Sequence, residues 1–368
     1  MGRTSHDAHP PLHHILLWTS YHLFGYSELT GRALSAILGV LGLIAIFMLG
    51  MTLWNKKTGL FALAVTSPLF FHVFYSQEVR SYSLLFLLTV LSWWAFVFLL
   101  RKPGLCRTLL YAGISSLLIY THYFGIFVLV SQSVYMAVLL AWLQPQQEGK
   151  NEAKLTFSPY LLLMIWIAVT YGLPFILSIV KVPMLIPRVT IITVPAIVLL
   201  LAGPAARLRM RYLIPISIAT CVFMATILVS RNHYYTYQWK ENWRGAVQYV
   251  LKNDPSGEYP VVCNYPAYFR AYFWMLRKYP TVINAQFCDP RKDLSDIPVS
   301  GGFWFLDAHD MKGPLPGFQQ FMGRYFEPAG FAHFKRASAV FFRFKSVLPP
   351  APQTGKKAME SGRPLSRN

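Results

Sequence analysis

The chain has 368 residues, of which 54% are hydrophobic, 16% aromatic and only 13% charged, which excludes an ordinary water-soluble domain of this length. Its 34 Lys and Arg against 15 Asp and Glu leave a net charge of +19, but no basic helix or aromatic platform accompanies the charge, which argues against nucleic acid as a partner. Membrane proteins gather such a surplus in cytoplasmic loops that meet anionic lipid. The four cysteines, Cys106, Cys221, Cys263 and Cys288, show no C-x-x-C spacing, so a structural zinc site is not indicated. Only Cys263 and Cys288 share a polar region, where they either pair in an oxidising compartment or stay as free thiols. Residues 1–11 are polar and proline-rich, so no cleavable signal peptide is visible.

In chain order, "HDAHPPLHH" at 6–14 opens a helix-like run. Pro10 and Pro11 suit a first turn, and Asp7 or His9 suits a cap. Residues 11–24 are amphipathic and interrupted by histidines, which fits a helix lying on the membrane surface. Apolar spans follow at roughly 31–54, 58–74, 81–100, 107–120, 124–143, 158–180, 189–204 and 211–230, with 107–120 the shortest. This predicts a polytopic α-helical membrane protein with about eight transmembrane helices. If the first span runs from outside to inside, the inner loops hold Lys56, Lys57, Arg101, Lys102, Arg107, Lys150, Lys154, Arg207, Arg209 and Arg211. The outer loops hold Arg80, Lys181 and Arg188, so the bias places both the N-terminus and the C-terminal region outside.

From about 231 the texture changes. "WKENWRGAVQYVL" reads as a helix, "VVCNY" as a strand, "AYFRAYFWMLRKY" as a helix, "GGFWFLDAH" as a strand, "GFQQFMGRYF" as a helix and "SAVFFRF" as a last strand. The expected organisation is an outer loop and juxtamembrane helix at 1–30, a transmembrane bundle at 31–230, a small extracytoplasmic α/β domain at 231–346, and a disordered basic tail at 347–368. No internal repeat is visible.

The informative residues are polar groups at span ends, all on one side. They form three clusters: Asp7 with His9, then "YSQEVRSYS" with Tyr75, Gln77, Glu78, Arg80 and Tyr82, then "YTHYFG" with Tyr120, His122 and Tyr123. Lys181 and Arg188 in "KVPMLIPR" fall on the same side. Each has an ordinary reading: Glu78 and Arg80 as an interfacial ion pair, the tyrosines as an aromatic belt, His122 as a hydrogen-bonded histidine. Their convergence suits another purpose. A carboxylate among guanidinium, ammonium and imidazole groups at an interface fits a lipid-phosphate headgroup.

Five stretches then resemble one family in order. "DAHPPLHHILLWTSYHLFGYSELTGRALSAILGVLGL", "HVFYSQEVRSYSLL", "YTHYFG", "IPRVTIITVPAIVLLLAG" and "HYYTYQWKENWRGAVQYV" run from residue 7 to about 250. They resemble the bacterial relatives of dolichyl-phosphate-mannose protein mannosyltransferases, the GT-C glycosyltransferases of family 39. The resemblance implies a GT-C-like fold and transfer of a sugar, mannose-like or another hexose or pentose, from a polyprenyl-phosphate-sugar donor. The acceptor would be a lipid, glycan or protein at the outer face of the inner or plasma membrane. It implies Asp7 and Glu78 as catalytic carboxylates, and His9, Arg80, His122, Lys181 and Arg188 as ligands of the lipid phosphate. Lys240 and Trp243 fall on the family's "KEDW", where its outer domain rests on the membrane part. Some members use a divalent metal ion, but no spacing here specifies a metal site.

Two departures from the family pattern stand out. His13 and His14 replace the tyrosines of "PPLYY", and polar substitution on a surface helix is the favoured reading. The family also places one more transmembrane helix and an acidic "DE" loop, its principal base, ahead of the point where this sequence starts. The start is either misplaced or a true truncation. The rival readings are accordingly a catalytically inactive homologue and a non-enzymatic transporter or lipid-binding scaffold.

Overall fold

A computed structural model describes residues 10–143, 158–180, 187–231, 242–276, 278, 280–284, 301–308 and 323–345. The chain divides into two compact units, Met1–Tyr234 and Tyr235–Asn368.

The first unit is a helical bundle. Its helices are α1 (Leu12–Phe24), α2 (Glu28–Leu53), α3 (Lys56–Thr66), α4 (Phe70–Ser76), α5 (Tyr82–Arg101), α6 (Leu105–Ile119), α7 (Gly125–Leu143), α8 (Pro159–Ile167), α9 (Leu173–Val180), α10 (Val194–Ala202) and α11 (Met210–Thr226). Every apolar span expected from the sequence is helical. Among the described residues five stretches are long and apolar enough to cross a membrane: Glu28–Leu53, Tyr82–Arg101, Gly125–Trp142, Pro159–Val180 and Met210–Ser230. The expected span 58–74 is instead a pair of helices, α3 and α4, bent by 68°. Pro68 sits at the break and supplies no N–H to carry the helix through. Leu105–Ile119 and Val194–Arg207 are apolar but shorter.

Helix α5 is apolar all round, and 72% of its most apolar window is buried, so it forms the centre of the bundle. Met210–Ser230 is as apolar, yet only 11% of its window is buried, which leaves Ile218, Val222 and Phe223 exposed. Three helices are tied at mid-span by a buried polar chain. Tyr111 Oη donates to Gln132 Oε1 at 2.7 Å, and Gln132 Nε2 donates to Ser92 Oγ at 3.0 Å. Ser92 meets Ser115 at 3.3 Å. Such bonds join helices where lipid gives no hydrophobic drive for association. A π-helical turn, Ala168–Gly172, separates α8 from α9 and absorbs the N–H missing at Pro174. Thr170 Oγ1 bonds Trp166 O at 2.7 Å there and lies 2.9 Å from Thr193 Oγ1. These interruptions invite comparison with the broken helices of transporters. However, no Asp, Glu, Lys or Arg is buried among the described residues of the bundle.

The second unit is a five-stranded sheet of order β2-β1-β3-β5-β4. The strands are β1 (Val261–Cys263), β2 (Val282–Asn284), β3 (Gly302–Ala308), β4 (Phe326–Phe334) and β5 (Ala337–Phe344). β1 runs parallel to β2 and β3, while β5 runs antiparallel to β3 and β4. Helices α12 (Trp243–Asn253) and α13 (Pro266–Met275) cover one face. There Val247, Val250, Phe269 and Phe273 pack on Trp304, Leu306, Ala308 and Ala339. The other face carries Val262, Phe303, Phe305 and Phe326. Asp254 ends α12, and its carboxylate accepts from the N–H groups of Gly257, Glu258 and Tyr259 at 2.9–3.1 Å.

The expected strands at 261–265 and 338–344, and the helices α12 and α13, are present. β2 and β4 were not expected. "FEPAGFAHF" carries Pro and Gly, yet it pairs as the sheet's edge, with a register shift between Pro328 and Gly330 that accommodates the missing N–H. Part of "GFQQFMGRYF" is a short helical turn at 323–325 and Phe326 already belongs to β4; the rest lies outside the described residues. Trp243, expected against the membrane part, is a core residue of this unit, stacked on Tyr268 at 5.2 Å. Cys263 is a free, buried thiol that burial pushes up to about 12, against a weaker opposing pull from a backbone hydrogen bond and Arg270. Cys288, with which it either pairs or stays as a free thiol in the sequence reading, lies outside the described residues, as do Lys240 and the tail 347–368.

Candidate functional site

Two of the polar clusters read from the sequence, at 75–82 and 120–123, lie at one end of the bundle. The stretch between α4 and α5 is fixed by two serines that the sequence reading passed over. Ser35 Oγ on α2 donates to the Glu78 carbonyl at 2.7 Å, and Ser83 Oγ on α5 donates to the Tyr75 carbonyl at 2.8 Å. Both serines are buried in apolar runs, so pattern alone gave no sign of them. Glu78 and Arg80 form a loose ion pair, Nε to Oε1 at 4.0 Å, with the arginine side chain 47% exposed. A pair so long and wet holds little of the fold together.

Residues 120–124 form the second side. His122 is buried, and its Nδ1 accepts the Phe124 N–H at 3.2 Å, which places a ring proton on Nε2 in the neutral imidazole. Its ring lies 6.3 Å from Tyr82, and Tyr82 lies 4.8 Å from Tyr75. The start of α1 is tied to the same turn, because the Leu12 N–H donates to the Tyr120 carbonyl at 3.1 Å. Pro11 stands at the N-cap, and no side-chain cap bond is made among the described residues; Asp7 and His9, the expected caps, lie outside them.

Arg188 completes the group. It opens the 3₁₀ turn Pro187–Ile192, which is anchored by buried Val189, Ile191 and Ile192 and by a 2.9 Å bond from Trp166 Nε1 to the Ile192 carbonyl. Its guanidinium is exposed and acts electrostatically on Tyr75, as does the Glu78 carboxylate. The structure therefore brings together Glu78, Arg80, His122 and Arg188. Asp7, His9 and Lys181 lie outside the described residues.

His13 departs from expectation. It does not stand on the surface of α1: it is 4% exposed, with neither ring nitrogen hydrogen-bonded to a described residue. Burial, and then the neighbouring His14, lower its affinity for a proton to a pKa of about 4. The unfolded imidazole takes a proton near 6.5 while the folded one resists it, so stability is lost as pH falls from 6.5 towards 4. Melting curves of wild type and His13→Phe between pH 7 and 5 should show the wild type losing stability on acidification and the variant holding more of it. Parallel pH profiles would contradict this assignment. Ile15, Trp18, Leu23 and Phe24 on α1 are exposed, as an interfacial helix requires.

Among the described residues no three of His, Cys, Asp and Glu gather as a metal site would require.

The fold defines a polytopic helical membrane protein with a cluster of polar groups at one end of its bundle. The sequence profile of the family described as dolichyl-phosphate-mannose-protein mannosyltransferase matches residues 8–172 of the chain. No curated protein sequence matches the chain. Solved structures similar to it include two of ArnT. ArnT from Cupriavidus metallidurans bound to undecaprenyl phosphate shares 12% identity over 93% of this chain and 89% of that one, with a TM-score of 0.49. The apo form of ArnT from the same organism shares 13% identity over 90% and 87%, with a TM-score of 0.45.

Proposed function

We propose that the protein is a GT-C membrane glycosyltransferase that moves a sugar from a polyprenyl-phosphate-linked donor to an acceptor hydroxyl at the outer face of the inner membrane. The observation that carries this reading is that Glu78 and Arg188, distant in sequence, both lie near enough to Tyr75 at one end of the bundle to act on it electrostatically. In the reaction the bond between the sugar's anomeric carbon and the donor phosphate oxygen breaks, and a bond from that carbon to the acceptor oxygen forms. The acceptor proton passes to a carboxylate, Glu78 or Asp7. The phosphate leaves on its lipid with its charge held by Arg188, Arg80 and Lys181, and His122 and His9 line its path. A glycosyl phosphate is already a good leaving group, so the protein's work is proton removal, charge stabilisation and positioning.

The distribution of charge supports the orientation. Lys56, Lys57, Arg101, Lys102, Arg107, Arg207, Arg209 and Arg211 cluster at the end of the bundle away from Glu78, as cytoplasmic loops do. Lys57 Nζ donates there to the Leu208 carbonyl at 2.9 Å.

The test is release of polyprenyl phosphate and transfer of label from polyprenyl-phosphate-mannose in proteoliposomes. Glu78→Gln, which keeps shape and removes the base, should lower the rate by about 10²-fold or more. Turnover by wild type that Glu78→Gln leaves intact would remove Glu78 from the mechanism. Donor bound without turnover by wild type would favour an inactive homologue.

A further inference from the structure

We infer that the bundle carries a headgroup site for an anionic phospholipid at the end away from Glu78, built where the turn before α3 meets the start of α11. The place is fixed by α2. Ser35 on α2 bonds the Glu78 carbonyl. Leu53 closes the same helix about 27 Å further along at 1.5 Å per residue, close to the ~30 Å of a bilayer's hydrocarbon core. Just beyond it, Asn55 Nδ2 donates to the Ala206 carbonyl at 3.2 Å and Lys57 Nζ to the Leu208 carbonyl at 2.9 Å. Asn55 Oδ1 also accepts from the Lys57 and Thr58 N–H groups at 3.1 and 3.2 Å. One side chain thus starts α3 and ties it to the 3₁₀ turn Gly203–Arg207. Two segments far apart in sequence are joined, and Lys56, Lys57, Arg207, Arg209 and Arg211 gather at the junction.

The two segments bring no acid with them. The sequence places no Asp or Glu between Glu28 and Glu78 or between Glu152 and Glu241, the stretches that form the junction. Lys56, Arg207, Arg209 and Arg211 are exposed, and among the described residues none of them forms an ion pair. Lys57 gives one of its three N–H donors to Leu208, which leaves two. The positive ends of α3 and α11 fall here as well and add to the attraction for an anion. Charge alone would serve a soluble anion equally, but α11 favours a lipid. Arg211, Ile214, Ile218 and Val222 stand at i, i+3, i+7 and i+11, one stripe of the helix, and all four are exposed. A guanidinium therefore heads an apolar track about 16 Å long, the arrangement of a phosphodiester above its acyl chains. Trp54 and Tyr160, with ring centroids 5.4 Å apart, pack on Gly203 of the same turn, where a Cβ would lie 3.0 Å from Tyr160 Oη and 3.1 Å from the Trp54 ring. Such aromatic groups sit at headgroup level in a bilayer. Basic pockets between spanning helices hold anionic headgroups in this way.

The site shares no residue with the one assigned to sugar transfer, so either can fail without the other. Native mass spectrometry of the full chain in detergent, with dioleoyl phosphatidylglycerol and dioleoyl phosphatidylcholine added in equal amounts, tests it. Wild type should retain phosphatidylglycerol in preference to phosphatidylcholine. Arg209→Gln combined with Arg211→Gln should weaken that retention about tenfold or more, and Arg188→Ala should leave it unchanged. Inorganic phosphate should not displace the lipid. Lys56→Gln combined with Arg207→Gln gives a second reading if the first pair fails to fold. Equal retention of the two lipids by wild type would overturn the proposal. So would phosphatidylglycerol retention that the paired variants leave intact, its loss in Arg188→Ala, or its displacement by inorganic phosphate.

Discussion

Gly59→Ala should destabilise the bundle more than any single methyl group normally does. A Cβ at Gly59 would lie 2.5 Å from the Phe47 carbonyl oxygen and 3.1 Å from the Met51 nitrogen. Both are backbone atoms of α2, so no change of rotamer relieves the clash. The approach is mutual, since a Cβ at Gly50 would lie 3.0 Å from the Gly59 Cα. Two glycines thus let α2 and α3 touch backbone to backbone, the close packing that holds helices together in lipid. Forcing them apart costs about 1–3 kcal/mol or more. At roughly 2–4 °C per kcal/mol the melting point should fall by several degrees. Gly113→Ala is the control: it is exposed on α6 with no atom within 4 Å of its Cβ, and it should be neutral or slightly stabilising. Thermal unfolding followed in detergent decides. Equal melting points for the two variants would show that the α2–α3 contact is not as tight as the structure has it.

The bundle was legible because bilayer thickness imposes long apolar runs, and those survive in a single sequence without knowledge of what packs on what. The bend at Pro68 was visible as a proline but not as an angle, because a proline in a span leads to a kink or a break according to its neighbours. Glu78, Arg80, His122 and Arg188 were found by their polarity at span ends. Ser35 and Ser83, which fix the carbonyls of Glu78 and Tyr75, could not be, since a buried serine in an apolar helix reads the same whether or not it bonds a loop. His13 shows the same limit. Its place on α1 was plain, but which side of the helix meets the bundle depends on the 120–124 turn, which holds Leu12. β4 was missed because edge strands tolerate the Pro and Gly that normally argue against a strand.

Arg188→Ala should empty the protein of its lipid carrier. Arg188 sits on a turn anchored by three buried residues and the Trp166 bond. A guanidinium grips phosphate with paired hydrogen bonds that alanine cannot replace. Loss of a charged hydrogen-bonding partner of this kind costs about 1.5–3 kcal/mol, roughly ten- to a hundredfold in affinity. Arg188→Lys should recover only part of it, because an ammonium keeps the charge but not the fork. The fold should survive all of these changes, since the side chain is exposed. Native mass spectrometry of the detergent-purified chain, wild type beside Arg188→Ala, measures this directly. The account predicts co-purified polyprenyl phosphate, or its glycosylated form, on wild type and its loss from the variant. Carrier retained equally by both, or absent from well-folded wild type, would contradict a lipid-phosphate site at this end of the bundle.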